Sequence, residues 1–236
     1  MRLGVFGGTF DPVHIGHMVA AVNVRHALAL DRVMLVVANE PWQKSSRAIT
    51  PAEDRLAVLA ASIAGIEGLE ASRIEIDRGG ISYTIDTITD LRSMYPSAEL
   101  HLVVGEDVAR GLSSWKRASE LRRMVRLVVV SRSLQTAAPG LDPVSAPSAE
   151  GTPCGLPDSV NRRVRDSVPG TVRGSVPGSV PGSVPEGWSG VVVGIPNLDI
   201  SSTEIRQRAA AGQVLDLLVP PGGIEQIQAR RLYACS

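Results

Sequence analysis

The chain has 236 residues, with 24 Lys plus Arg, 24 Asp plus Glu and a formal net charge of zero. That balance argues against a broad nucleic-acid or anionic-membrane surface, and no apolar run approaches the roughly 20 residues that span a bilayer. The length suits one sizeable core, or one domain carrying an insertion.

The first four residues, Met1-Arg2-Leu3-Gly4, enter a strand pattern directly and lack the layout of a signal peptide, so a cytoplasmic protein is expected. Residues 3–6 read as the first strand, and GGTFDPVHIGH follows at 7–17. Gly7 and Gly8 are read as following the strand, where they allow a backbone approach that a Cβ would block. Asp11-Pro12 favours a turn, and a helix is expected to start near Ile15 and cover 16–29. A helix start offers unpaired N–H groups and a positive dipole end, which suits a phosphate. His14 and His17 are three residues apart and share a face, with Gly16 keeping that face low. Two imidazoles there can donate to phosphate oxygens. Two plainer readings stand beside this one. The glycines can serve a tight turn only. The histidines can belong to a metal site, although no third Cys, His or carboxylate clusters with them. The stretch is not the G-x-G-x-x-G dinucleotide fingerprint, which removes the main support for an oxidoreductase.

Residues 33–37 read as a second strand. A helix over 51–64 follows, with Thr50 as N-cap, Pro51 in the first helical position and Glu53 closing a capping box. Strands are expected at 74–76, 100–104, 127–130 and 191–195, and helices at 84–94 and 117–124. The strands are nearly continuous apolar runs, as expected when both faces are covered. The alternation predicts an α/β domain with a parallel sheet, whose ligands sit at the carboxyl ends of the strands near the switch point. His26, in a helical stretch, and His101, in a strand, read as structural. The charges of ELRRMVR at 120–126 read as a solvated helix face. Cys154 and Cys235 have neither metal-ligand nor redox spacing and read as incidental. The stretch 133–187 contains S-V-P at a four-residue spacing, which neither helix nor strand tolerates. It reads as a flexible insertion within a single domain, with a partner-docking repeat as the alternative. The apolar pattern resumes at Val191.

GGTFDPVHIGH resembles the N-terminal motif of the nucleotidylyltransferases, whose H-x-G-H is shared with class I aminoacyl-tRNA synthetases. ISSTEIR, at 200–206, resembles their second nucleotide motif; Ser201 with Glu204 also fits a simple capping box. GGISYTIDTI at 79–88, VVGEDV at 103–108, Ser114-Trp115, PWQK at 41–44 and RLY at 231–233 are similar to the nicotinate mononucleotide adenylyltransferases. The resemblance covers about 1–132 and 190–236. It implies a Rossmann-like, parallel-stranded nucleotidyltransferase fold and the transfer of AMP from ATP to nicotinate mononucleotide, with nicotinamide mononucleotide or phosphopantetheine as alternative acceptors and a non-catalytic nucleotide-binding protein as the other reading. It implies catalytic roles for His14, His17 and Arg206. It implies ATP binding by Gly7, Gly8, Thr9, Phe10, His14, Gly16, His17, Gly105, Asp107, Ser201, Ser202, Thr203 and Arg206. Lys44, Tyr83, Thr84, Asp107, Trp115 and Arg132 would bind the mononucleotide, with Trp115 stacked on the pyridine and backbone N–H groups at Tyr83-Thr84 meeting its carboxylate. Asp86 reads as a first-turn helix carboxylate, and Glu106 as added negative charge near a phosphate site. Mg²⁺ would be held mainly through the ATP phosphates, with no dedicated protein cage. Small-molecule partners are expected, with no nucleic acid and no membrane, and a homo-oligomer is open.

Overall fold

A computed structural model of the chain describes residues 1–41, 49–132 and 184–234. Six strands, β1 (Arg2–Gly8), β2 (Arg32–Val37), β3 (Leu69–Ser72), β4 (Glu99–Gly105), β5 (Arg126–Ser131) and β6 (Gly190–Gly194), form one sheet in the order β3-β2-β1-β4-β5-β6. Every pairing is parallel. Among the described residues eight α-helices accompany them: α1 (Ile15–Ala27), α2 (Ala52–Ile63), α3 (Ile74–Arg78), α4 (Thr84–Met94), α5 (Glu106–Ala109), α6 (Ala118–Met124), α7 (Ser202–Ala210) and α8 (Pro221–Ala229). The described residues all fall in one unit built from both ends of the chain. No helix among them is long and apolar enough to cross a membrane.

Continuous apolar strands follow from a sheet buried on both faces. Val33, Leu35 and Val37 of β2 enter one core layer with Val103, Val128 and Val130. Met34 and Val36 enter the opposite layer with Leu3, Val5, Leu102, Leu127 and Val129. This alternation is the period-2 geometry of a strand applied to two apolar surfaces. The order of strands reverses at β1, which has β2 on one side and β4 on the other, and that is where a parallel sheet opens a crevice at its carboxyl edge.

Three expectations are corrected. Gly7 and Gly8 lie inside β1, paired with Val36 and Val37 of β2, and do not follow the strand. Residues 74–76 are the first turn of α3, and the edge strand is Leu69–Ser72. Ile74 and Ile76 pack against opposite core layers. Two residues apart in a strand they would share a face, whereas a helix turns them to different sides. The third correction is at the start of α2. Pro51, not Thr50, occupies the N-cap position, with an extended ψ of 142°. Its carbonyl accepts from Asp54 N and Arg55 N at 3.1 Å. Glu53 closes no capping box and pairs instead with Arg73 at 3.0 Å.

The stretch 133–183, with Cys154, and Cys235 lie outside the described residues. By Val184 the chain is back in the fold: Val184 and Trp188 pack against the core layer that holds Leu127 and Val129.

Candidate functional site

The H-x-G-H stretch sits at the start of α1, on the carboxyl side of β1. His14 is the N-cap, and its N–H donates to His17 Nδ1 at 3.2 Å. The two rings lie 3.8 Å apart between centroids, tilted by 37°. A Cβ on Gly16 would lie 3.1 Å from His14 Nδ1, so glycine lets the His14 ring lie against the helix start. His17 rests edge-on against Phe10 at 5.1 Å, and Phe10 is itself buried in the core with φ of 48°. Phe10 therefore backs His17.

His14 is 7% exposed, and its Nδ1 is buried with no hydrogen-bond partner among the described residues. Burial, followed by the nearby positive charge of Arg132, lowers its pKa from 6.5 to about 4. The ring is neutral at pH 7 and keeps a polar atom unused, an arrangement that costs stability unless something binds there.

A cleft of about 270 Å³ opens beside the pair. Its walls come from β1 (Phe6), α1 (His14, Gly16, His17), the β4–α5 junction (Gly105, Glu106, Asp107), Arg132 after β5 and Ile200 before α7. This is the reversal point of the sheet. Of the first-turn amides of α1, Ile15 N is taken by the Leu218 carbonyl at 2.9 Å and His17 N by the His14 carbonyl at 2.9 Å, and Gly16 between them lines the cleft.

The second motif joins the first. Ser201 caps α7, its Oγ accepting from Glu204 N at 3.1 Å, while Glu204 pairs with Arg208 rather than reaching back. Ser202 Oγ donates to the Pro12 carbonyl at 2.8 Å, and Arg206 Nη1 donates to the Asp11 carbonyl at 2.6 Å. Arg206 Nη2 also reaches Thr203 Oγ1 at 3.1 Å. Residues nearly 200 positions apart thus form one structure around the Asp11-Pro12 turn.

Of the expected residues, His14, Gly16, His17, Gly105, Asp107 and Arg132 share the cleft. Gly7, Gly8, Thr9, Ser201, Ser202, Thr203 and Arg206 do not line it, and Thr9 gives its carbonyl to Arg55. Asp107 is exposed and pairs with Arg110. Tyr83, Thr84 and Trp115 meet elsewhere, in a narrow slot shared with Ile85 and Lys116. Lys44 lies outside the described residues. His26 is on the exposed side of α1, and His101 is buried in β4 beside the Glu99 carbonyl, as structural residues would be. Arg122 and Arg123 are exposed on α6 while Leu121 faces the core, but the solvated helix face expected over 120–126 ends at Met124: Val125 is buried and Arg126 opens β5.

Sequence reasoning missed four supports. Asp11, only 2% exposed, is more than a turn former: its Oδ1 accepts from Tyr233 Oη at 3.0 Å. Tyr233, held protonated by burial, anchors the end of the chain to the first motif. Arg55 of α2 is fully buried and donates to four carbonyls, those of Thr50, Thr9, Ala38 and Asn39. Asn39 then holds the loop before α4, its N–H bonding Ser82 Oγ at 2.8 Å and its Nδ2 the Gly80 carbonyl at 3.0 Å. Asp11 lay in the first motif and Tyr233 in the RLY ending, while Arg55 and Asn39 had no sequence signal.

Comparison with known proteins decides the family. Residues 5–208 match the cytidylyltransferase-like family, a span that holds both motifs. The chain belongs to the cytidylyltransferase-like family. A probable nicotinate-nucleotide adenylyltransferase of Corynebacterium kroppenstedtii is 37% identical, over 98% of this chain and 90% of that protein. The protein of the same name from Streptomyces coelicolor is 35% identical, over 96% of this chain and 98% of its own length. The fold matches the Plasmodium falciparum nicotinic acid mononucleotide adenylyltransferase complexed with NaAD, with a TM-score of 0.63 at 14% identity, covering 98% of this chain and 97% of that one. The cytidylyltransferase-like fold thus explains why both motifs lie at one edge of a single parallel sheet.

Proposed function

We propose that this chain transfers AMP from ATP to nicotinate mononucleotide, giving nicotinate adenine dinucleotide and pyrophosphate, in NAD biosynthesis. One observation carries the reading. The starts of α1 and α7, from opposite ends of the chain, are stitched together at Asp11-Pro12 beside the cleft at the sheet's reversal point. The names of the relatives at 35–37% identity agree with it.

In this reaction a phosphate oxygen of the mononucleotide attacks the α-phosphorus of ATP in line. One P–O bond forms, the bond to the β-phosphate bridge breaks, and pyrophosphate leaves. The nucleophile is already anionic, so no side chain has to remove a proton. Catalysis is then positioning and neutralisation of charge on the phosphates. His14 and His17 would donate to the phosphates, with His17 nearer the reacting centre. Arg206, Ser202 and Thr203 would hold the β/γ end, which requires Arg206 to divide its donors between the Asp11 carbonyl and phosphate oxygens. Gly105 and Asp107 would hold the nucleotides from the β4 side, and Arg132 the mononucleotide phosphate. Tyr83, Thr84 and Trp115 would take the nicotinate ring.

Among the described residues no three His, Cys, Asp or Glu side chains gather as a metal cage. A divalent ion carried on the triphosphate would be met by one or two carboxylates, and Glu106 and Asp107 on the cleft wall could supply them. We take the ion to be Mg²⁺, which would neutralise phosphate charge. The same reading places the reaction in the cytoplasm.

The test is pyrophosphate release from ATP and Mg²⁺, with nicotinate mononucleotide and its amide assayed side by side. Turnover with strong preference for the acid is expected. Silence with both would overturn the reaction.

A further inference from the structure

The slot at Tyr83 and Trp115 contains a charge that the sequence reading left unassigned. Lys116 follows Trp115, and its ammonium lies 4.1 Å from the centroid of the Tyr83 ring. The same ammonium is 3.1 Å from Asp86 Oδ2, in the first turn of α4. Arg117 also approaches Asp86, at 4.0 Å, but its guanidinium is engaged with both carboxylate oxygens of Glu120 at 2.9 and 2.6 Å. Lys116 is thus the one charged side chain lining the slot, with Asp86 its nearest carboxylate and Arg117 beyond it. The free volume among Tyr83, Thr84, Ile85, Trp115 and Lys116 is about 10 Å³, far less than a pyridine ring needs. The Lys116 side chain that lies over the Tyr83 ring there is long and half-exposed.

We propose that Lys116 sets the preference for an acid over an amide at this slot, with Asp86 holding its ammonium ready over Tyr83. The proposal rests on the function given above and names a specificity-determining residue for it. An ammonium over an aromatic face stands where a cationic pyridinium ring would lie. When the ring enters, the lysine leaves the Tyr83 face and its charge turns to the ring's carboxylate. An amide in the same place offers the lysine only a neutral oxygen, a weaker partner than a carboxylate. Asp86 makes the discrimination depend on Lys116: without the lysine its carboxylate, left with Arg117 at 4.0 Å, would repel the acid and attract the uncompensated positive ring of the amide.

The test reads binding, so that it stands apart from turnover. Dissociation constants for nicotinate mononucleotide and for its amide are measured by calorimetry on wild type, Lys116→Met, Lys116→Arg and the Asp86→Asn/Lys116→Met double variant. Lys116→Met is expected to lower the acid-over-amide affinity ratio about tenfold, the order of one charge interaction at a partly exposed site. Lys116→Arg should keep the ratio within about threefold, since it keeps the charge. The double variant should recover part of the lost ratio, because the Asp86 carboxylate is gone. An unchanged ratio in Lys116→Met, equal weakening toward both mononucleotides, or a wild type with no acid preference would each overturn the role. Absence of pyrophosphate release with normal discrimination in binding would instead overturn the reaction and leave the Lys116 role standing.

Discussion

His14 and His17 are three residues apart and share a cleft, yet they should answer different measurements. His17 lies on the cleft wall, backed by Phe10, with its Nδ1 accepting from His14 N. His17→Ala removes a preorganised donor aimed at developing charge, and kcat should fall about 100-fold or more, with the melting temperature little changed. Near-normal turnover would remove His17 from the phosphate site. His14 is instead legible in stability. Its pKa is lowered to about 4 against 6.5 for an exposed imidazole, chiefly by burial. Between those values the unfolded chain takes up a proton at residue 14 that the native chain refuses. Unfolding is therefore favoured progressively as pH falls through that window, by up to about 3 kcal/mol at its lower end. Above pH 6.5 the ring is neutral in both states and contributes no slope. His101, also lowered by burial, adds a slope of the same sign. Urea unfolding at pH 7 and pH 4.5 should show His14→Gln losing less stability on acidification than wild type. Equal losses would mean that the His14 ring is not held neutral by burial. ATP should shrink the wild-type loss, since phosphate charge favours the protonated ring.

At the scale of elements, α2 contributes one side chain that organises the site's floor. Arg55 gathers carbonyls from the end of β1, the end of β2 and the approach to α2. Only a planar fork with several fixed donors can satisfy four acceptors at once. Arg55→Met leaves buried carbonyls without partners and should cost about 3 kcal/mol or more, near 10 °C in Tm for a chain of this size. Arg55→Lys keeps the charge but not the fork, so its Tm should fall nearly as far. A Lys variant melting with wild type would show that charge alone is at work. This residue marks the limit of what the sequence discloses. The strand–turn–helix stretch at 7–17, the start of α7 and the continuous apolar strands were legible because a short window determines each. The site's first halves were legible for the same reason: His14, Gly16 and His17 are local. Arg55, the Asp11–Tyr233 bond and the Lys116–Asp86–Tyr83 cluster are not, because their partners meet only after folding. The edge strand Leu69–Ser72 lacked a β-branched run, while Ile-Glu-Ile at 74–76 imitated a strand's alternation. Thr50, Pro51 and Glu53 supplied every letter of a helix start, yet ψ at Pro51 moved the cap by one residue.

For the molecule as a whole, the open question is the stretch between β5 and β6, which we propose is an insertion within one nucleotidyltransferase domain. The register of those strands limits what can be removed. Leu127 faces Gly190 and Ser131 faces Gly194, so the chain leaves β5 at one edge of the sheet and must re-enter β6 at the other. A parallel crossover of that kind needs about a dozen residues. It also needs its return leg, because Val184 and Trp188 cover the core layer that holds Leu127 and Val129. Excising 136–183 and bridging with about six Gly/Ser residues leaves a crossover of roughly 16 residues, above that minimum. This variant should melt cooperatively near the full-length Tm and keep ATP binding. Excision of 136–186 with a direct join leaves about seven residues and strips Val184 from the core, so it should express as an aggregate or melt without cooperativity. The contrast separates two causes of failure. If the bridged form also collapses, the stretch supplies structure to the domain and is no insertion. If both forms fold, the β5–β6 pairing is not held by a long covered crossover, and Val184 is dispensable to the core.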